Sequence, residues 1–524
     1  MTALGDIAGQ TFDAVVIGGG INGAGVAREA QLAGYRTLLV ERDDFGAGTT
    51  SRSTRLIHGG LRYLEHRELG LVYESLAERA VLVREMPHLV RPLRLLLPVY
   101  EGDRRPAWKV RAGLALYDAL SFRKSLPRHR AVLRRNLVAV EPRLRREGLR
   151  AAYTFFDAQV QFPERIVVET VREFVEAGGI ALNHTAAARL LSPGGRVRGV
   201  VLRASCGGEG AEVQTSAVVD AAGPWADAVL AGSDAERHEP LIGGTKGSHL
   251  VVEWRDGPTG AIFATARADG RPFFILPWYR YTLIGTTDLR YDGDPSEARA
   301  TPEEVRYLLD EANRLAPGSP LTEEQILYTY CGVRPLPFTT GGDESSITRR
   351  HLIIDQTRRG GPSGLLVVVG GKLTTYRSLA RVAVPHIAKY AKPSASPVQP
   401  RAAAPPAPER EQAGDALALY GSRRAEVEEL LRGEPVLRER ICEHHPETLA
   451  QVAYAVEREF AQSLGDVLLR RLPVGWSRCH ALDGVEAVAG VMTSRLGWDA
   501  ERTRAEIAAY ADEVERVLVP LGRL

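Results

Sequence analysis

The sequence predicts an α/β fold with an inserted β-sheet and a helical C-terminal region. Three observations lead there. Residues 13–41 run strand-like, glycine-rich, helical and strand-like again. Between Leu241 and Thr287 several strand-like runs follow one another. After residue 412 the apolar pattern is almost wholly helical. A chain of 524 residues exceeds one core and implies two or three domains.

The first unit has a physical purpose at each position. The apolar run Ala14 to Ile17 leads into Gly18-Gly19-Gly20-Ile21-Asn22-Gly23, and a second run, Thr37 to Val40, ends at Glu41. Gly18 permits a tight strand-to-helix turn, Gly20 lets the backbone approach a pyrophosphate, and Gly23 lets helix and strand pack closely. The helix N-terminus offers unpaired N–H groups and a positive dipole end to phosphates. Glu41, about 20 residues on, is placed to accept hydrogen bonds from a ribose. This is a dinucleotide-binding pattern, and by itself it leaves the choice of dinucleotide open.

The next elements follow from periodicity and punctuation. Arg165 to Ala177 reads as a helix ending at Gly178-Gly179, and Ile180 to His184 and Val197 to Ala204 read as strands. Ala217 to Asp220 is a short buried-looking strand running into AAGPW, with Gly223 at its turn. SHLVVEW, FFILPWY and YTLIGTT supply the inserted sheet. Thr301-Pro302-Glu303-Glu304 opens a helix with a capping box and Pro at the first position, running to about Leu315. Residues 391–412, rich in Pro, Ala and Ser, read as a linker. Beyond it, Ala425 to Leu431, Pro446 to Leu464 and Ala500 to Leu518 read as helices.

Composition narrows the setting. The net charge is +2, yet residues 101–150 hold fourteen Lys/Arg against five Asp/Glu. Within that block, residues 106–130 interleave Trp108, Tyr117 and Phe122 with leucines and cations, a pattern that suits an anionic lipid surface or the solvated face of a packed helix. No nucleic-acid motif accompanies the charge. No segment approaches the ~18 apolar residues of a membrane span, and the N-terminus lacks the basic start and apolar core of a signal peptide. A cytoplasmic protein is expected. Cys206, Cys331, Cys442 and Cys479 are widely spaced and form no CxxC, which speaks against a disulfide framework or a zinc site. No metal is expected.

Three stretches carry candidate chemistry. Residues 45–65, FGAGTTSRSTRLIHGGLRYLE, offer glycines and hydroxyls to a flat polar cofactor, followed by His58, Gly59, Gly60, Arg62 and Tyr63. An arginine can fork onto a phosphate or carboxylate. Residues 331–350 give CGVRPL and SITRR. Residues 366–377, LVVVGGKLTTYR, read as a buried strand, a Gly-Gly turn and a helix start that again aims N–H groups at an anion or an electron-rich ring edge.

Taken in order, VVIGGGINGAGVA, SRSTRLIHGGLRYLE, AAGPW, TKGSHLVV, LIGTTDLRYDGDP, GVRPL and GGKLTTYR resemble the FAD-dependent glycerol-3-phosphate dehydrogenases over about residues 12–380, and the helical tail fits the family layout. The resemblance implies a glutathione-reductase-like FAD-binding fold of the D-amino-acid-oxidase type, with an inserted antiparallel substrate sheet and a helical C-terminal domain. It implies an FAD-dependent oxidoreductase region over 12–390, its cofactor domain discontinuous at about 12–75, 150–230 and 345–390, its substrate and cap parts at about 76–149 and 231–344. The linker 391–412 and a helical domain 413–524 follow.

The activity implied is oxidation of sn-glycerol 3-phosphate to dihydroxyacetone phosphate by hydride transfer to FAD, with electrons passed to membrane quinone. The setting implied is peripheral on the inner face of the cell membrane, often as a homodimer. By motif, substrate residues fall on Arg62, Tyr63, Arg334, Arg349 and Thr374, and catalytic roles on His249, Arg334 and Lys372. FAD contacts fall on Gly18, Gly20, Asn22, Gly23, Glu41, Thr49, Thr50, Ser51, Ser53, His58, Gly59, Gly223, Gly370, Gly371, Lys372, Leu373 and Thr374. His249 is favoured as proton acceptor by its intrinsic pKa; Lys372 would serve if burial or nearby cations lowered its own.

The chain departs from the family in Asp220-Ala221-Ala222, where Asn-Ala-Thr is usual, and in its Pro-rich linker. It is too short for the extra insertion of the oxygen-reducing glycerophosphate oxidases, so quinone is the expected acceptor. Two rivals remain: a related flavin oxidase acting on an amino or hydroxy acid, and a non-catalytic binding protein on the same fold, as in the GDP-dissociation inhibitors of Rab proteins.

Overall fold

The computed structural model describes residues 3–121, 126–205, 207, 210–232, 239–340, 347–399 and 415–519. A six-stranded sheet runs in the order Leu352–Asp355, Leu365–Val369, Val218–Asp220, Ala14–Ile17, Thr37–Val40, Ile180–Leu182. All neighbours are parallel except the edge strand Leu352–Asp355. Its inner strands are buried at every residue, as a parallel sheet covered on both faces requires. Alternation along a strand assigns the two faces. Ala14 and Val16 pack with residues of helices Ile21–Leu32, Pro163–Glu176 and Tyr376–Ile387. Val15 and Ile17 pack toward the three-stranded meander Thr185–Leu191, Gly199–Ala204, Gly210–Gln214. The strand Thr185–Leu191 has no counterpart in the sequence reading; TAAARLL lacks the β-branched run that marks a strand.

The inserted sheet is larger than expected and mixed rather than antiparallel. It runs Leu289–Arg290, Thr245–Val252, Tyr281–Gly285, Pro272–Trp278, Ala261–Thr265, Val90–Tyr100, Leu149–Val160, Leu56–Ile57, with Ile326–Arg334 also paired to Thr245–Val252. Ala261–Thr265 and Val90–Tyr100 are parallel. The chain enters this sheet in two separate passes, before and after the meander. No tight turn sets the direction where the passes meet, so the hairpin rule that makes the remaining pairs antiparallel does not apply there. The expected boundary near residue 150 falls within Leu149–Val160, which pairs along its length with Val90–Tyr100.

Helix Pro302–Leu315 has the expected start: Thr301 Oγ1 accepts from the Glu304 N–H, and Glu304 Oε2 accepts from the Thr301 N–H. In the tail, Arg424–Gly433, Leu449–Arg458, Val485–Leu496 and Ala500–Val517 are helical. The helix expected over Pro446 to Leu464 is shorter. Glu459 is buried and binds Arg165 Nη1 through both oxygens at 2.8 Å, and Phe460 turns left-handed (φ +63°) to set its ring edge-on to Phe45. Two tertiary contacts override local propensity. Residues 400–412 of the expected linker lie outside the described residues.

The tail is docked through buried charge. Asp44, one residue outside the dinucleotide loop's cavity wall, accepts from Arg470 Nε (2.8 Å), Arg471 Nη1 (2.6 Å) and Nη2 (2.9 Å), and Asn183 Nδ2 (2.9 Å). His184 Nε2 sits 2.9 Å from Asp466 and is pushed up to about 9: burial opposes this, and the Asp466 carboxylate outweighs it. Removing one partner of a buried pair strands the other, at a typical cost of about 3–5 kcal/mol. Asp44→Ala is therefore expected to lower the unfolding free energy by about that amount in denaturant titration, while the solvent-exposed substitution Glu323→Ala leaves it within about 0.5 kcal/mol.

Candidate functional site

The glycine turn opens onto a cavity of about 370 Å³. Gly18 has φ +102°, and a Cβ there would fall 2.6 Å from the Ala221 carbonyl oxygen. A Cβ at Gly23 would fall 1.8 Å from Gly18 O, whereas at Gly20 it would meet only Thr50 Oγ1 at 3.5 Å. Gly23 thus serves packing, and Gly20 keeps the helix end open. Thr50 Oγ1 accepts the Ile21 N–H (3.2 Å), and the first intrahelical bond runs from Ala24 N to Gly20 O. The Asn22 and Gly23 N–H groups are left outside the helical ladder, in the position an anion needs.

Glu41 closes one end. Its two oxygens accept from Gly19 N–H (2.6 Å) and Asp43 N–H (2.9 Å), and burial still pushes it up to about 7. Each oxygen keeps a lone pair for a ribose hydroxyl. Asp220 is also buried and pushed up to about 7; Oδ1 accepts the Ala222 N–H (3.0 Å) and Oδ2 has no partner. The opposite wall is the Gly370-Gly371 turn, with φ of +76° and +90°. A Cβ at Gly371 would fall 2.8 Å from Asn22 Nδ2. Asn22 donates to Gly370 O (3.4 Å), and its buried Oδ1 lacks a partner. An open helix end, a glycine cradle and an unsatisfied buried amide oxygen fit a dinucleotide.

Most expected cofactor residues line this cavity: Gly18, Gly20, Asn22, Glu41, Thr49, Thr50, Ser53, Gly223, Gly370, Gly371, Lys372 and Leu373. Gly23, Ser51, His58, Gly59 and Thr374 do not. Ser51 Oγ donates to Gly46 O (2.6 Å) and shapes its own loop. Thr374 is buried; its hydroxyl accepts from His58 N–H (3.1 Å) and reaches back to His58 O (3.3 Å). Gly59 donates to Tyr117 Oη (2.8 Å), and a Cβ there would strike Leu76 and Tyr117. These residues brace the loop from behind. Thr185, Ala186 and Ala187 of the meander, together with Arg42 and Trp225, complete the lining. Small residues on an unrecognised strand carry no motif; Arg42 over the Trp225 ring, at 4.6 Å, was beyond sequence reach because the contact is tertiary.

Beside Lys372 the cavity meets a cluster of cations. Arg334 Nη1 and Arg349 Nη2 share the Asp288 carboxylate at 3.0 and 2.7 Å. Arg334 Nη2 also donates to Thr286 Oγ1 and Thr287 O, both at 3.2 Å. Space for that guanidinium comes from Gly247, where a Cβ would lie 2.3 Å from Arg334 Nη2. Arg62 makes no ion pair among the described residues, and burial and the nearby Arg349 push it down. Tyr63 lies among the charges of Arg349, Arg62 and Arg334. Lys372 Nζ donates to Ser75 Oγ (2.8 Å) and sits 4.3 Å over the Tyr63 ring. Burial pushes Lys372 down to about 7, against the pull of Glu74 and Glu68. The structure thus brings Arg62, Tyr63, Arg334, Arg349 and Lys372 together, and adds Asp288, which no spacing in the sequence ties to them.

His249 stands in the adjoining strand, paired in register with Tyr330 and stacked on its ring (4.6 Å, 14°). Its Nε2 is 2.9 Å from Thr54 Oγ1. Burial, then the Arg334 and Arg55 charges, hold it well below the ordinary imidazole value. The intrinsic pKa that favoured His249 as proton acceptor does not survive this environment. Behind it, Tyr330 meets Trp476 edge-on (5.5 Å), and the Arg55 guanidinium lies between Trp278 (4.6 Å) and Trp476 (4.4 Å).

Comparison with known proteins agrees with this geometry. Residues 13–381 match the family model "FAD dependent oxidoreductase", and residues 370–503 match "C-terminal domain of alpha-glycerophosphate oxidase". A glycerol-3-phosphate dehydrogenase of Synechocystis is 38% identical, covering 98% of each chain. An aerobic glycerol-3-phosphate dehydrogenase of Staphylococcus aureus is 32% identical over 97% of this chain and 94% of its own. The crystal structure of a glycerol-3-phosphate dehydrogenase from Bacillus halodurans in complex with FAD superposes with a TM-score of 0.76 at 27% identity, covering 99% of this chain and 97% of the other. The chain belongs to the FAD-dependent glycerol-3-phosphate dehydrogenase family, and its cofactor is FAD.

Proposed function

We propose that this chain oxidises sn-glycerol 3-phosphate to dihydroxyacetone phosphate and delivers the electrons to membrane quinone from a peripheral position on the inner membrane face. The observation that carries the substrate is the cluster Arg62, Arg334 and Arg349. Three guanidinium groups with one shared carboxylate leave about two positive charges, which suits a phosphate dianion. An amino or hydroxy acid would need one arginine fork. FAD, held by the Gly18–Gly20 turn, Glu41, Asn22 and the Gly370-Gly371 turn, would supply the acceptor for a hydride from substrate C2.

The protein's own share is binding and proton transfer. Asp288 holds Arg334 and Arg349 side by side on one carboxylate, which fixes the two guanidinium groups relative to each other. The C2 hydroxyl must lose a proton, and a base serves best with a pKa near the working pH. Lys372, at about 7 and on the border between cavity and cations, meets that condition. His249, held neutral, orients through Thr54 and Tyr330. Arg334 adds a fixed positive charge toward the oxygen that gains electron density.

The membrane reading rests on helix Ala107–Leu120. It buries Leu114 and Tyr117 and exposes Trp108 (73%) and Leu116 beside Lys109 and Arg111. An exposed tryptophan among cations fits an anionic lipid interface. Phe122, Arg123 and Lys124 lie outside the described residues. Among the described residues no helix is long and apolar enough to cross a membrane.

Under anaerobic conditions, glycerol 3-phosphate is expected to bleach the flavin absorbance, and a soluble quinone analogue to restore it. Bleaching by an amino acid instead would favour the flavin oxidase alternative. Arg334→Ala should retain FAD and lose roughly 100-fold in kcat/KM; near-normal turnover would remove Arg334 from the site. In the wild type, kcat/KM should rise with pH through about 7 as Lys372 loses its proton. Lys372→Gln should abolish that limb and reduce kcat by roughly 100-fold or more. In sedimentation with phosphatidylglycerol vesicles, the combined Trp108→Ser, Lys109→Gln, Arg111→Gln variant should bind several-fold less than wild type, with anaerobic bleaching unchanged.

A further inference from the structure

The C-terminal region brings together two cysteines that lie far apart in sequence. Cys442 sits in the loop before helix Leu449–Arg458, Cys479 and Asp483 in the loop after the turn Pro473–Trp476. One sulfur of each cysteine and one Asp483 oxygen all lie within 4.8 Å of one another. His444 stands just outside this group, an exposed side chain with its Nε2 3.7 Å from Asp483 Oδ2. We propose that Cys442, Cys479, Asp483 and His444 bind a zinc ion that clamps these two loops. The expectation of no metal rested on cysteine spacing, and here the fold supplies the proximity that the spacing lacks.

The donor set has the right chemistry. Around tetrahedral zinc, with bonds of about 2.0–2.3 Å, ligand atoms lie roughly 3.3–3.8 Å apart, so small rotamer changes close Cys442, Cys479 and Asp483 on the ion, and rotation of the exposed His444 ring supplies the fourth ligand. Two sulfurs and an imidazole favour zinc over magnesium or calcium. Ser477 Oγ lies 3.2 Å from Cys479 Sγ and, with its own proton given to Val474 O (2.6 Å), is placed to accept from the Cys479 thiol. On binding, both thiols release their protons to solvent, and the two thiolates with the Asp483 carboxylate leave the loaded site at a net charge of −1. Four protein ligands leave no open position, which makes the site structural rather than catalytic.

Its consequence reaches the active site. The same loop carries Trp476, which packs on Arg55 and Tyr330, and Tyr330 carries the His249 ring. A clamp on residues 479–483 steadies that stack from behind. The backbone N–H of Arg478 and the carbonyl of Trp476 are tied to Tyr281 and Tyr328 of the second sheet, so the loop is already fixed on its other side.

Full-length FAD-loaded protein, produced in reducing cells, should contain about one zinc per chain. After chelation, titration with Co²⁺ alone should give a thiolate-to-cobalt charge-transfer band. Cys442→Ser should remove the band. Should that variant fold poorly, Asp483→Ala, at an exposed position, should weaken cobalt affinity about tenfold or more with FAD content unchanged. Zinc far below stoichiometry with no cobalt band, a band of equal strength in Cys442→Ser, cobalt affinity unaltered in Asp483→Ala, or a Cys442–Cys479 disulfide in the freshly made protein would each overturn the proposal.

Discussion

The Arg55 guanidinium is the point on which the three parts of this molecule close. It is fully buried, donates to Gln161 O (2.9 Å) and Ser51 O (3.3 Å), and faces the Glu164 carboxylate at 3.3 Å. Trp278 of the second sheet and Trp476 of the tail cover its two sides. A buried charge is tolerated only when its counter-charge and hydrogen bonds are in place. All of these come from different segments: the cofactor loop, helix Pro163–Glu176, the inserted sheet and the tail. Displacing any one of them uncovers the charge. The requirement couples cofactor loop to substrate sheet, and Tyr330, 5.9 Å from Arg55, passes that constraint to His249.

The same balance between burial and charge sets the chemistry of the site. Lys372, His249 and His58 are all shifted toward their neutral forms, and burial is the leading cause each time. Asp288 moves the other way: burial would raise it, but Arg334 and Arg349 hold it ionised. The result is a chamber whose fixed charge lies in guanidinium groups and the Asp288 carboxylate, while Lys372, His249 and His58 are neutral or poised. Glu41 and Asp220, raised to about 7, extend the pattern to the cofactor cavity. Where a diphosphate meets a helix end, a raised carboxyl value lessens the repulsion that the N–H groups would otherwise have to offset.

Local signals were legible and tertiary ones were not. The Gly18–Gly23 turn and the Thr301 capping box depend on residues within a turn of one another, so both could be read directly. The alternation of Ala14–Ile17 gave no hint of what would cover each face, and the meander strand Thr185–Leu191 stayed hidden because alanines carry no strand signal. Asp288 was invisible because its partnership with Arg334 and Arg349 exists only after folding. For His249, the motif pointed to the residue, but burial and two arginines hold its imidazole well below the free-solution value on which its candidacy as proton acceptor was based. Thr374 shows the converse: its motif suggested ligand contact, and its hydroxyl is spent on the His58 backbone.

The tail is an integral part of this enzyme rather than an appendage, and the physical reason is the cost of separating it. Asp44 meets Arg470 and Arg471, Arg165 meets Glu459, and His184 meets Asp466, with little or no solvent access at most of these groups. Opening the interface would return these ions to water, but it would also expose Trp476 and leave Arg55 uncovered on one side. The ionic pairs set the docking geometry, because each guanidinium accepts only a narrow range of carboxylate positions. The aromatic contacts supply the apolar burial that ion pairs alone do not. A tail held by both kinds of contact is tied to the cofactor domain at several points, and through Trp476 and Tyr330 that anchorage reaches the wall behind His249.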